Sequence, residues 1–126
     1  MASPEKLFRD ALVADATVTG LIGTRCFFLT APQGTARPYA VLQMVSEGRE
    51  AVLNGADTLP QARIQVDIIA ESMPSAGSVR DAIRSRMDAF SSSALEYSRL
   101  INQFTSYDED TEFPRIVQEY RVTYAE

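Results

Sequence analysis

The sequence contains no histidine, only one cysteine, Cys26, and only one lysine, Lys6, among its 126 residues. Without histidine the chain cannot form a Ser-His-Asp or Cys-His catalytic group, a histidine general base or the commonest kind of metal site. A single cysteine excludes an intramolecular disulfide and, with histidine missing, leaves zinc and iron–sulfur sites without ligands. We therefore expect neither a metal centre nor a disulfide scaffold.

Long apolar runs and glycine-rich loops are also missing. No apolar run approaches the ~20 residues needed to cross a bilayer, and residues 1–9 are not a basic segment leading into an apolar secretory core. The glycines at positions 20, 23, 34, 48, 55 and 77 match neither a dinucleotide-binding loop nor a phosphate-binding loop. We expect no membrane contact, no cleaved export signal, no cofactor and no enzyme activity.

The composition that remains is typical of a folded globular protein. Apolar residues make up 45% and charged residues 23%, which predicts one folded domain over residues 1–126. A net charge of −5 argues against wrapping nucleic acid, because that affinity comes mainly from basic side chains on phosphates. All basic residues except Lys6 are arginine, which is enriched at protein interfaces, although genomic base composition explains this equally well.

The first third of the chain carries clear helix signals. Ser3 before Pro4 predicts the start of a helix that runs to about Ala14, because serine caps helix N-termini and proline fits the first turn. Asp15 is positioned to cap a further short turn that ends at Gly23. A short strand over 25–29 is expected to follow.

The middle of the chain predicts a long β-hairpin. Tyr39–Val45 is strongly apolar and is expected near the centre of the sheet, 62–70 alternates apolar and polar residues, and Asn54-Gly55 suits a tight turn between them. Pairing from Tyr39 to Ile69 would give arms of about 45 Å at ~3.3 Å per residue. Since a domain of this size has a radius of gyration of roughly 14 Å, the tip is expected to project. A bulge or bend is expected where Gly48 and Pro60 lie nearly opposite each other.

The hairpin tip is the predicted contact site. Apolar side chains on a projecting arm would bury surface only against another molecule, so we expect an interface with a neighbouring copy there. The alternative is a mobile surface loop. The candidate residues are Arg49, Val52, Leu53 and Leu59.

The second half predicts a helix from Ser75 or Ser78 to Phe90, a strand over 97–104 and a last strand over 115–124. The expected fold is therefore α+β, with a mixed or antiparallel sheet of about five strands, a long hairpin and two main flanking helices. Cys26 lies in an apolar run and is expected to be a buried thiol rather than a nucleophile. The acidic stretch 108–112 predicts a solvated loop, with a hard-cation site as the alternative.

The order of these signals resembles the tail completion, or tail terminator, proteins of long-tailed phages and related gene transfer agents. The resemblance covers about 7–124. It rests on the helix end at 12–15, Leu21-Ile22-Gly23, Arg25, the segment 31–34, Pro38-Tyr39, Gln43, the strand 62–67 and the closing strand 115–124.

The resemblance implies a structural subunit without an active site. Such a subunit forms a ring, usually a hexamer, on the head-proximal end of the tail tube. The ring ends tube growth, offers a docking face to the head completion or connector protein, and leaves a lumen through which DNA passes without specific binding. The implied location is the virion, with assembly in the host cytoplasm. Two alternatives stay open: another small virion part, such as a head completion, connector or tail tube subunit, and a ligand-binding regulatory module.

Overall fold

The computed structural model describes residues 3–49, 60–108 and 113–124, apart from the side chains of Arg49 and Asp108. Three helices and five strands lie in these ranges. In chain order they are α1 (Pro4–Val13), α2 (Ala16–Ile22), β1 (Cys26–Phe28), β2 (Tyr39–Arg49), β3 (Pro60–Ile69), α3 (Met73–Met87), β4 (Tyr97–Asp108) and β5 (Phe113–Thr123). None of the described helices is long and apolar enough to cross a membrane.

The strands form one mixed sheet in the order β1-β2-β3-β5-β4. The short strand β1 runs parallel to β2, and every other neighbouring pair is antiparallel. This confirms the predicted α+β class. The middle strand is β3, and β2, which begins at Tyr39, is the interior strand between β3 and the edge strand β1.

The arms of the predicted hairpin are confirmed. Their antiparallel pairing runs from Tyr39 opposite Ile69 to Arg49 opposite Pro60. The expected irregularity near Gly48 is wrong, because the register shifts between Met44 and Ser46 instead. The shift places Glu47 on the same face as Met44, where its carboxylate accepts a hydrogen bond from the Tyr124 hydroxyl.

Polar side chains cap the helices. The Ser3 hydroxyl accepts a hydrogen bond from the Lys6 backbone N–H, and the Asp15 carboxylate accepts one from Val18 N–H, as their positions predict. The third helix begins earlier than expected, because Ser72 is its cap and accepts from Ser75 N–H. It also ends at Met87, so Phe90 lies outside it and forms an isolated bridge with Ser98.

One face of the sheet is covered by the helices and holds the core. Phe8 of α1 packs against Tyr120 of β5 with ring centroids 5.2 Å apart, and the backbone carbonyl of Arg80 in α3 accepts from the Gln118 side chain. This confirms the alternation predicted for 62–70. The buried strand residues on this face include Cys26, Ala40, Leu42, Ala62, Ile64, Val66, Ile68, Ser98, Ile116, Gln118, Tyr120 and Val122.

Two glycines in and just after the second helix predict opposite responses to alanine. Gly23 ends α2 with φ 59° and ψ −132°, a conformation that L side chains rarely adopt. Gly20 lies inside α2, and a Cβ added there would meet nothing within 4 Å. Gly23→Ala should lower the free energy of unfolding by about 1–3 kcal/mol, whereas Gly20→Ala should raise it by about 0.5–1 kcal/mol. Urea denaturation measures both, and changes of the same sign would contradict this account of the helix end.

Candidate assembly surfaces

The face of the sheet turned away from the helices carries a row of three arginines. Arg121 of β5 lies directly opposite Arg63 of β3 on one side and Arg99 of β4 on the other. Neighbouring strands are about 4.8 Å apart, so the three side chains leave the sheet side by side. We call Arg63, Arg99 and Arg121 the arginine row, and this surface the open face.

The positive charge of the arginine row is only partly balanced. Arg63 forms an ion pair with the Glu119 carboxylate, and a second pair joins Arg115 to Asp67 at 3.5 Å. Arg99 and Arg121 are exposed and have no hydrogen bond or ion pair from their side chains to any other described residue. Two adjacent cations therefore face outward with no partner in the described part of the chain.

The described side chains of the open face are basic on balance. Its described strand residues include four arginines and two carboxylates. The whole sequence has 12 basic and 17 acidic residues. The excess of acidic residues falls largely outside the described side chains, at Glu50, Asp57, Asp108, Glu109, Asp110, Glu112 and Glu126.

Exposed apolar side chains share the open face with the arginine row. Tyr97 and Phe104 of β4 are 45% and 46% exposed, and their register places both on the open face with Arg99. β4 is an edge strand, which is where unpaired backbone groups and exposed apolar side chains invite contact with another chain. The opposite edge of the sheet, at β1, also exposes Phe28 and Leu29.

Of the predicted contact residues, only one lies in a described segment. Arg49 is the last residue of β2 and stands opposite Pro60. Val52, Leu53 and Leu59 lie outside the described residues, as do Asn54-Gly55 and 109–112. The structure therefore gives the position of Arg49 in β2. A contact formed by Arg49, Val52, Leu53 and Leu59 stays a prediction. Sequence reasoning missed the arginine row, although Arg63 and Arg121 occupy polar positions in alternating strands.

The one cysteine and the acidic side chains of the described chain offer no reactive or metal-binding group. Burial raises the pKa of the Cys26 thiol to about 12, an effect that the nearby positive charge of Arg9 opposes only in part. This thiol is protonated at neutral pH, which confirms the predicted buried cysteine. Within 3–49, 60–108 and 113–124, no group of three or more cysteine or acidic side chains is placed to hold a metal ion.

The fold and its exposed surfaces define a small α+β protein with a helix-covered sheet face and an open face of arginine and aromatic residues, side chains that protein interfaces favour. The chain matches the family described as Tail completion protein gp17 over residues 6–125. It therefore belongs to the tail completion protein gp17 family, whose members are structural proteins of the phage tail.

Comparison of structures gives the same fold. A chain from the virion of a native gene transfer agent particle is similar to this one with a TM-score of 0.72 and 16% sequence identity, over 93% of this chain and 90% of that chain. No curated protein sequence matches the chain.

Proposed function

We propose that the protein caps the head-proximal end of the tail tube as a ring, ends tube growth and provides the surface to which the head joins. The observation that carries this proposal is the family match over nearly the whole chain, residues 6–125. The role requires interfaces rather than an active site. The described residues form exposed apolar and basic surfaces that suit contact with other proteins.

A ring needs two different contact patches on each subunit, because cyclic assembly joins one patch to a different patch on the next copy. The described chain has exposed apolar side chains at both edges of its sheet, at β4 and at β1. Patches on opposite edges suit contact between successive copies around a ring. We propose a hexamer with the tail tube protein on one side, the head completion or connector protein on the other, and a lumen that DNA crosses without specific binding.

The hairpin tip is proposed as a further contact, with the neighbouring subunit or with the tube. Replacing both Leu53 and Leu59 with serine should leave the monomer folded, because the described core is formed by other residues and the described pairing of β2 with β3 ends at Arg49 and Pro60. Assembly should be impaired through loss of apolar contact area. Native mass and tail assembly measure this, with a variant carrying methionine at both positions as the apolar control. Unchanged assembly of the serine variant would remove the tip from the interface.

Deleting the gene from the particle-producing genome tests the proposed function. Tubes should grow beyond their normal length and stay unattached to heads, which negative-stain electron microscopy of lysates shows directly. Supplying the wild-type gene in trans should restore the normal length. A lysate without tubes would identify a tube subunit instead, and tubes of normal length beside defective heads would identify a head completion protein.

A further inference from the structure

We propose that neighbouring subunits join by pairing strands, with the outer edge of β4 in one copy against the outer edge of β2 in the next. The inference rests on the proposed function, because it concerns the ring that the subunits form. The segments that would pair are 102–108 of β4 and 43–49 of β2, which are equal in length. We call them the β4 edge and the β2 edge.

The register shows which backbone groups of the β4 edge point away from the sheet. Ala70 N–H donates to the Pro114 carbonyl, so Pro114 and every second residue of β5 bond to β3. In an antiparallel ladder the β4 residues opposite these positions turn their N–H groups outward. Thr105 and Tyr107, opposite Ile116 and Pro114, are such residues. Their N–H groups have no hydrogen bond to any other described residue.

The β2 edge presents the same kind of unpaired backbone. On the β1 side of the strand, the Leu42 carbonyl accepts from Leu29 N–H, and Met44, two residues later, faces the same way. The register shift at Val45 makes Glu47 the next outward position. Within the described segments, no backbone group bonds to Met44 or Glu47 on this side.

Other stretches of the sheet edges are already covered. Before its bulge, β4 exchanges backbone hydrogen bonds through Ser98 with the bridge at Phe90. On β1, the Arg9 guanidinium donates to the Cys26 carbonyl at 2.7 Å. Proteins cover or blunt such edges because unpaired strands bind other strands. The β4 edge and the β2 edge lack this cover among the described residues.

The amino acids at the β4 edge suit a partner strand. Residues 101–107 include no charged residue and no proline, the two kinds of residue that most often prevent pairing at a sheet edge. None of them is buried, and Ile101, Phe104 and Tyr107 are 37%, 46% and 58% exposed. β-branched and aromatic residues favour strands that are packed against neighbours. The segment therefore has the composition of an interior strand at a position where the single subunit leaves it open.

A second copy of this chain is the partner, because it carries the other open edge. A strand can extend a neighbouring sheet through the same backbone hydrogen bonds that join strands within one chain. Pairing the β4 edge with the β2 edge joins two different surfaces, so a pair of subunits still has one edge of each kind free. Repetition of this contact can close a ring, whereas pairing of two β4 edges would stop at a dimer.

Proline at an outward position tests the β4 edge. Thr105→Pro should leave the ladder with β5 intact, because the N–H that it removes points away from β5. Native mass over a concentration series should show a closed oligomer for the wild type. The variant should raise the dissociation constant about tenfold or more, since a hydrogen bond is lost and the proline ring obstructs the incoming strand. Thr105→Val keeps the N–H and should assemble as the wild type does.

A variant of the β2 edge tests the head-to-tail arrangement. Glu47→Pro should also prevent assembly, whereas Glu47→Gln keeps the N–H and an acceptor for the Tyr124 hydroxyl and should assemble normally. An equimolar mixture of Thr105→Pro and Glu47→Pro should form dimers, because each variant retains the edge that the other lacks. Normal assembly of either proline variant alone would contradict the pairing.

Amide exchange in the wild type gives a second measurement that does not depend on the folding of a variant. The N–H groups of Thr105, Tyr107, Met44 and Glu47 should exchange about tenfold or more slowly in the oligomer than in the dilute monomer, because pairing would protect them. Circular dichroism would show whether each proline variant is folded. Equal exchange in the two states would overturn the inference.

Three further results would also overturn it. They are a wild type that stays monomeric at every concentration, a wild type that closes as a dimer, and normal rings of Thr105→Pro that fail to join tail tubes, which would assign the β4 edge to a strand of the tube protein. Tail length after gene deletion reads the proposed function separately. Overlong tubes together with an assembling Thr105→Pro variant would overturn this inference alone, and tubes of normal length would overturn the proposed function.

Discussion

Replacing Gln118 with glutamate should make the stability of the protein strongly dependent on pH. The Gln118 side chain is fully buried on the helix-covered face of β5. Its amide nitrogen donates to the Arg80 carbonyl at 3.3 Å and to the Gln103 amide oxygen at 2.9 Å, while its oxygen accepts from the Tyr120 hydroxyl at 3.1 Å. All three contacts suit a neutral amide, and two of them require a donor that a carboxylate lacks.

The direction of this pH dependence follows from the different environments of the introduced carboxyl group in the folded and unfolded states. Burial disfavours the ionised carboxylate, so the pKa of the introduced carboxyl group in the folded Gln118→Glu variant should lie above the value of about 4.3 that a glutamate has in the unfolded chain. The variant should approach wild-type stability below about pH 4, where the group is neutral in both states, and lose stability as pH rises toward and through the folded pKa. A shift of about 3–5 units corresponds to roughly 4–7 kcal/mol once the pH exceeds the folded pKa.

Urea denaturation between pH 4 and pH 8 measures this effect at one protein concentration. Gln43→Glu is the matched control, because Gln43 is exposed on β2 and the same change there should alter the free energy of unfolding by no more than about 0.5 kcal/mol. A Gln118→Glu variant as stable as the control at pH 8 would contradict this prediction, because it would show that the buried hydrogen-bond network tolerates a negative charge.

Replacing Phe8 with alanine should be nearly as damaging. The Phe8 side chain is fully buried in α1 and contacts Tyr120 across the core with ring centroids 5.2 Å apart and a tilt of 52°. Its removal leaves a cavity where the first helix joins the sheet. Truncation of a buried phenylalanine lowers the free energy of unfolding by about 3–5 kcal/mol, which is a large share of the roughly 5–15 kcal/mol that holds a domain folded.

Phe104→Ala provides the comparison for this prediction. Phe104 is 46% exposed on β4, so the same truncation should change the free energy of unfolding by less than about 1 kcal/mol. Thermal and urea unfolding of both variants, at a protein concentration kept equal because assembly shifts apparent stability, would measure the difference. Similar losses in the two variants would contradict the assignment of Phe8 to the core.

The sequence predicted the elements whose signals are local. Ser3 and Asp15 cap their helices as expected, because a cap depends on one side chain and a backbone N–H three residues away. Alternation over 62–70 predicted the buried face of β3, because side chains in a strand point to opposite sides in turn. The start of α3 was misplaced, since Ser72, Ser75 and Ser78 are all suitable caps and only the backbone path selects the first.

The candidate site was predicted only in part. The hairpin arms were foreseen because their apolar pattern and turn residues lie close together in sequence, and Arg49 belongs to the last described pair of these arms. The remaining tip residues stay a prediction. The bulge at Val45 was not foreseen, because no local signal in the sequence marks it. It brings Glu47 to Tyr124, a residue 77 positions away.

The sequence by itself determined the class of the fold, the family resemblance and the absence of histidine chemistry, because these depend on composition and on patterns within short segments. Only the tertiary structure decided that Arg63, Arg121 and Arg99 stand in one row. Their alignment depends on the pairing of β3 with β5 and of β5 with β4, and a register slip of one residue would turn each side chain to the opposite face. Register between strands distant in sequence is set by burial of the common core, which no single segment encodes.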